Sequence, residues 1–130
     1  MSRIRNLRTL GVCLFVVIGV LMLAPGAWAA GKYKTLHTFK GGKGWIRPRE
    51  KLIFDQGNLY STTENGGDAN DDGTVFELDQ SGNETVLHRF NGTDGTRPNA
   101  GVIRDSAGNL YGTTYQGGAF GNGTVFKIAP

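Results

Sequence analysis

Nearly the whole second half of the chain repeats the first. Leu36-His37 and Phe39 recur as Leu87-His88 and Phe90, and Arg47-Pro48 recurs as Arg97-Pro98. Ile53 and Asp55 match Ile103 and Asp105, and Gly57-Asn58-Leu59-Tyr60 returns unchanged as Gly108-Asn109-Leu110-Tyr111. Thr62-Thr63 matches Thr113-Thr114, Gly66-Gly67 matches Gly117-Gly118, and Gly73-Thr74-Val75-Phe76 returns as Gly123-Thr124-Val125-Phe126. These nineteen identities define two units, about 33–83 and about 84–130, with single-residue length changes confined to loops. A period of about fifty residues belongs to stacked or ring-closed repeat folds, in which each unit buries its apolar surface against the next.

Within each unit, short runs of β-formers alternate with turn residues. The pattern predicts strands at Glu50–Phe54, Asn58–Thr63, Thr74–Asp79 and Glu84–Phe90, then at Ala100–Arg104, Asn109–Thr114 and Thr124–Ile128. One more is predicted ahead of them, at Thr35–Phe39. The connections Asp-Gln-Gly, Gln-Ser-Gly-Asn and Asp-Ser-Ala-Gly are hairpin chemistry. Eighteen glycines after residue 29 exclude a helical bundle, since each glycine inside a helix costs about 1 kcal/mol relative to Ala. Neighbouring strand residues point to opposite faces, yet Leu59-Tyr60 and Val75-Phe76 are apolar on both, as a sheet covered on both sides requires. The expected fold is all-β: two four-stranded antiparallel sheets resembling propeller blades, with a two-sheet β-sandwich as the alternative.

The expected second sheet has only three strands of its own, so Thr35–Phe39 is expected to complete it. Propellers close with about four to eight blades, and two cannot close a ring. Leaving about 300 Å² of apolar face wet forgoes about 7 kcal/mol, comparable with the total stability of a small domain, about 5–15 kcal/mol. The chain therefore assembles with its own copies, derives from a longer array, or collapses into a sandwich.

The first 29 residues read differently. Arg3, Arg5 and Arg8 precede an apolar run from Leu10 to Ala24, and Ala27-Trp28-Ala29 supplies small residues for cleavage after Ala29. This is the make-up of a signal peptide, and the apolar run is shorter than the roughly 20 residues of a transmembrane helix. The expected compartment is extracellular, cell-surface or periplasmic, with membrane contact only before cleavage. Cleavage leaves residues 30–130 as the β-repeat domain and removes Cys13, the only cysteine. The remaining 11 Lys+Arg balance 11 Asp+Glu. A neutral domain lacks the basic excess of a nucleic-acid binder.

Charge is nonetheless segregated. Residues 32–51 carry a net charge of +6 and residues 52–130 a net −6. This suggests a solvated basic edge, or head-to-tail assembly in which that edge meets the acidic body of another copy.

Few residues suggest chemistry. Because His37 and His88 occupy equivalent positions, structural work is the better reading for both. Asp55 and Asp105 are placed to bond the backbone of the turns that follow them. Asp68, Asn70 and Asp72, with Gly73 next and Asp79 at the twelfth position, imitate a calcium-loop spacing. The flanks, however, read as strands, and the second unit has Ala119-Phe120-Gly121-Asn122 there. No cofactor is expected, calcium being the one alternative, and no catalytic residue is assigned.

The run Val86-Leu87-His88-Arg89-Phe90, Asp94-Gly95, Pro98, Gly108-Asn109-Leu110-Tyr111-Gly112-Thr113-Thr114, Gly117-Gly118 and Gly123-Thr124-Val125-Phe126 resembles the GloVer tandem repeat. The resemblance spans about Tyr33 to Ile128. It implies a bacterial, exported protein, and brings no established catalytic residues. Members usually carry more copies and surface-anchoring tails, which this chain is read as lacking, and Lys43-Gly44-Trp45-Ile46 replaces the Asp-Gly stretch in the first unit. The resulting expectation is a secreted, non-catalytic scaffold that binds a surface protein or glycan and its own copies through exposed sheet faces. The alternative is a metal-dependent hydrolase or lactonase-like propeller fragment, which needs carboxylates or histidines from several blades on one ion.

Overall fold

A computed structural model describes residues 31–40, 46–67 and 69–130, and Lys34–Pro130 form one compact unit within the chain. The expected signal peptide, Lys43-Gly44-Trp45 and Asp68 lie outside the described residues.

All seven described strands are antiparallel. The first sheet runs β1 (Ile53–Asp55), β2 (Asn58–Thr63), β3 (Thr74–Leu78), β4 (Glu84–Arg89), in chain order. The second runs β5 (Ile103–Arg104), β6 (Leu110–Thr113), β7 (Val125–Ile128). Local chemistry sets the hairpins. Gln56 and Gly57 both have positive φ, 48° and 91°, the conformation that a two-residue hairpin requires. A glycine opens β3 and β7 for a double reason. Gly73 and Gly123 sit at φ 96° and 90°, and a Cβ there would lie 2.5 Å from the Thr63 carbonyl and 2.3 Å from the Thr114 carbonyl.

The two sheets repeat one another bond for bond at their hairpin bases. Thr63 and Thr74 hydroxyls are 2.8 Å apart, and Thr114 and Thr124 hydroxyls 3.0 Å. Gly73 N donates to Gly66 O at 2.9 Å, and Gly123 N to Gly117 O at 3.0 Å. Glu64 N donates to Arg47 O, and its counterpart Tyr115 N to Arg97 O, both at 3.0 Å.

The core lies between the sheets and consists of Tyr60, Val75, Phe90, Val102 and Leu110, with Ile53, Leu87, Phe126 and Ile128 packed against it. The first sheet is covered on its other face as well, which is why both Val75 and Phe76 are buried. Phe39 lies edge-on to Phe76, with centroids 5.2 Å apart, just as Phe90 meets Phe126 at 5.2 Å.

Three expectations need correction. The second sheet has three strands, not four, and Thr35–Phe39 does not complete it: residues 31–40 contain no strand. An extended segment becomes a strand only by pairing along an edge. Here the aromatic contacts lay Leu36–Phe39 across the first sheet's face. The strands leading into each unit are also shorter than expected, beginning at Ile53 and Ile103 instead of Glu50 and Ala100. The third correction concerns Asp55, whose carboxylate pairs with Arg104 across the sheets and not with its own turn. The two-residue turn after it is too tight to bring a later amide back.

Candidate interaction surface

The histidines expected to be structural are held by their neighbours. His37 Nδ1 lies 3.1 Å from the Gly82 carbonyl, which assigns the proton to Nδ1, and its ring stands edge-on to Phe39 at 4.9 Å. Glu84 Oε2 is 3.0 Å from the other ring nitrogen but off the line of a hydrogen bond. His88 repeats the edge-on contact with Phe90 at 4.8 Å and donates from Nε2 to Asp94 at 2.8 Å. Asp94 also accepts from Asn91 N, so the pair pins the loop after β4.

The residues of the calcium spacing are spread along the chain. Asn70 and Asp72 precede β3, and Asp79 follows it. Because a strand rises about 3.3 Å per residue, β3 carries Asp79 far beyond the reach of one ion that Asp72 could also ligate. The Asp79 carboxylate instead closes the β3–β4 turn, accepting from Ser81 N (2.8 Å), Asn83 N (2.9 Å) and Asn83 Nδ2 (2.8 Å). Asp105 closes the β5–β6 turn in the same way, through Ala107 N, Asn109 N and Asn109 Nδ2. The shared word is Asp-x-[Ser/Ala]-Gly-Asn, a pairing of Asp79 with Asp105 that the sequence alignment of the units misses. Hydrogen bonds from Asn109 above all hold the Asp105 carboxyl down at about 2, and those from Asn83 lower Asp79.

A cavity of about 280 Å³ opens between the sheets, lined by Tyr60, Glu77, Leu87, Arg104, Leu110 and Ile128. Arg104 fills its polar side, with its guanidinium 4.9 Å from the Tyr60 ring centroid and paired with Asp55. This cluster fastens one sheet to the other.

The largest anomaly is elsewhere. Val75 is fully buried, whereas Val125, the same position of the same word, is 82% exposed. Ile53 packs against the core, and its counterpart Ile103 is 69% exposed. Thr62 is buried and donates to the Pro98 and Ala100 carbonyls at 3.1 Å each, while its counterpart Thr113 is exposed. These three residues of the second sheet form one face, continuous with the edge of β7. At the opposite end of the unit the asymmetry reverses. Val102 and Leu87 serve the core, whereas their counterparts Leu52 and Leu36 are 49% and 53% exposed.

The charge segregation does not map onto this surface. Of the ten carboxylates after residue 51, only Asp94 and Asp105 lie beyond the last strand of the first sheet. The acidic body is the first sheet and its turns, so the open face of the second sheet is apolar and not acidic.

A family model, the Gloeobacter/Verrucomicrobia repeat, matches residues 24–130. The chain belongs to this repeat family. The matched span takes in every described strand of both sheets. No curated protein and no solved structure matches the chain.

Proposed function

We propose that this GloVer-repeat protein is an exported, non-catalytic binding and assembly scaffold that works at the cell surface or in the periplasm. The observation that carries the reading is the open face of the second sheet. A position buried as Val75 in one sheet is presented to solvent as Val125 in the other. A surface that the same fold buries one unit earlier is built for a partner of similar shape, and exposed apolar faces of this kind mark interaction sites. Export rests on the basic head, apolar run and Ala27-Trp28-Ala29. The non-catalytic part rests on the histidines, each of which is engaged by a neighbouring carbonyl or carboxylate and by the ring that follows it.

The test is to incubate the purified chain with bacterial envelope fragments and peptidoglycan, and to screen the same sample for esterase and lactonase turnover with and without chelator. Retention on the envelope without turnover is expected. A stoichiometric metal, with turnover that disappears on chelation, would replace this reading with the hydrolase.

A further inference from the structure

The interface between the two sheets is a template for a contact that the chain does not make within itself. On one side of it stand Ile53, Thr62 and Val75 of the first sheet, joined by Leu87 of β4, and on the other Val102 and Leu110. The counterparts of Ile53, Thr62 and Val75, namely Ile103, Thr113 and Val125, are exposed at one end of the unit. Leu36 and Leu52, the counterparts of Leu87 and Val102, are exposed at the other end. Two complementary half-interfaces therefore lie on different surfaces of the same molecule.

The strand pattern is complementary too. β4 pairs along β3, with Val75 opposite His88 and Thr74 opposite Arg89, and Phe90 N donates to Gly73 O at 3.0 Å. Phe90 then packs on Phe126 of the following sheet. Residues 36–39 make the second of these contacts, Phe39 on Phe76, but enter no strand pair among the described residues. Among the described residues β7 is correspondingly an edge strand where β3 is an inner one.

We infer that β7 accepts residues 34–39 of a second copy as its fourth strand, joining copies head to tail. This deepens the scaffold reading and rests on it in taking the open face as the working surface. Transferring the β3–β4 register sets His37 of the incoming copy opposite Val125, Thr38 opposite Thr124 and Lys34 opposite Lys127, with Phe39 N donating to Gly123 O. The Thr113 hydroxyl then donates to the Pro48 and Glu50 carbonyls, as Thr62 does to those of Pro98 and Ala100. Edge pairing supplies the main-chain bonds, and the apolar face fixes the register. Such a contact is heterologous. It closes a ring if about two to four copies supply the blades of a propeller, and otherwise grows as a filament.

Sedimentation velocity and light scattering on the full chain over a range of micromolar concentrations test the inference. The mass is expected to rise above one chain with concentration. V125K is expected to return the protein to a single chain with its β-type circular dichroism intact, because Val125 touches little within its own molecule. K127E is expected to tighten association about fivefold, since it turns the like-charged cross-strand pair of Lys34 and Lys127 into one of opposite charge. Mixing K34C with K127C, each in a Cys13→Ser background, is expected to give a disulfide-linked pair of different copies. A single chain at every concentration overturns the inference, whatever else binds β7, as does association that neither V125K nor K127E moves. Neither result touches the scaffold reading, which falls only to metal-dependent turnover.

Discussion

Val75 and Val125 form an internal control, because they share one sequence word and differ only in what covers them. Truncating Val75 to Ala removes two methyl groups from a fully buried site among Tyr60, Phe90 and Val102. The transfer loss is about 1.6 kcal/mol at about 0.8 kcal/mol per buried group. The unfilled cavity raises the total to about 2–3 kcal/mol. For a domain of about 100 residues, 1 kcal/mol corresponds to about 4–8 °C of Tm, so Val75→Ala is expected to lower Tm by at least about 8 °C. Val125→Ala acts at a site 82% exposed and is expected to cost under about 0.5 kcal/mol in a dilute single chain. Thermal melts of both variants in dilute solution give the comparison. Equal losses would refute the assignment of one sheet as covered and the other as open. A Val125→Ala loss that grows with protein concentration would locate the missing cover in another copy.

Two further outcomes follow from particular contacts. Gly112 replaces Ser61 in the second sheet because a Cβ there would lie 2.4 Å from the Phe126 ring, so Gly112→Ala should displace that ring and lower Tm, with amide shifts around Phe126 as the readout. Asp105 and Asp79 are lowered in the folded state, so their contribution is complete above the ordinary carboxylate range, near pH 4, and is lost as pH falls through the folded value, about 2 for Asp105. An acid titration followed by circular dichroism should show the native protein weakening from about pH 4 to about pH 2, and Asp105→Asn should flatten that limb while lowering stability at neutral pH.

The repeat carried most of the architecture. The hairpin turns and the strand positions within the two sheets were legible because each depends on residues close in sequence, and the structural work of the histidines because the two hold equivalent positions in the units. What was not legible depended on partners. Leu36–Phe39 alternates like a strand, yet a strand exists only along an edge, and no local pattern says which edge is offered. Asp55 and Asp105 look equivalent by alignment, but one turn residue fewer after Asp55 sends its carboxylate to Arg104 while Asp79 adopts the turn-closing role. The open face was hidden for a more basic reason: Gly-Thr-Val-Phe is the same word in both sheets, and only tertiary context makes it core in one and surface in the other.

Residue 127 is where the two sheets depart from one another in a telling way. β3 has Glu77 at the position where β7 has Lys127, whose amine sits 5.7 Å from the Tyr111 ring centroid. A lysine on an edge strand discourages indiscriminate pairing, so the edge admits only a strand whose apolar contacts outweigh the charge. The register that brings Lys34 opposite Lys127 makes a prediction opposite in sign to a basic-edge-on-acidic-body contact. Opposite charges meeting across an interface weaken with salt, whereas two lysines held face to face are relieved by it. Raising sodium chloride from about 20 mM to about 200 mM shortens the screening length from about 20 Å to about 7 Å. Association through β7 should hold or tighten over that range, and in K127E, where the pair is oppositely charged, it should weaken with salt instead. Dissociation with rising salt would place the contact on the basic segment and the acidic first sheet, and would remove β7 from it.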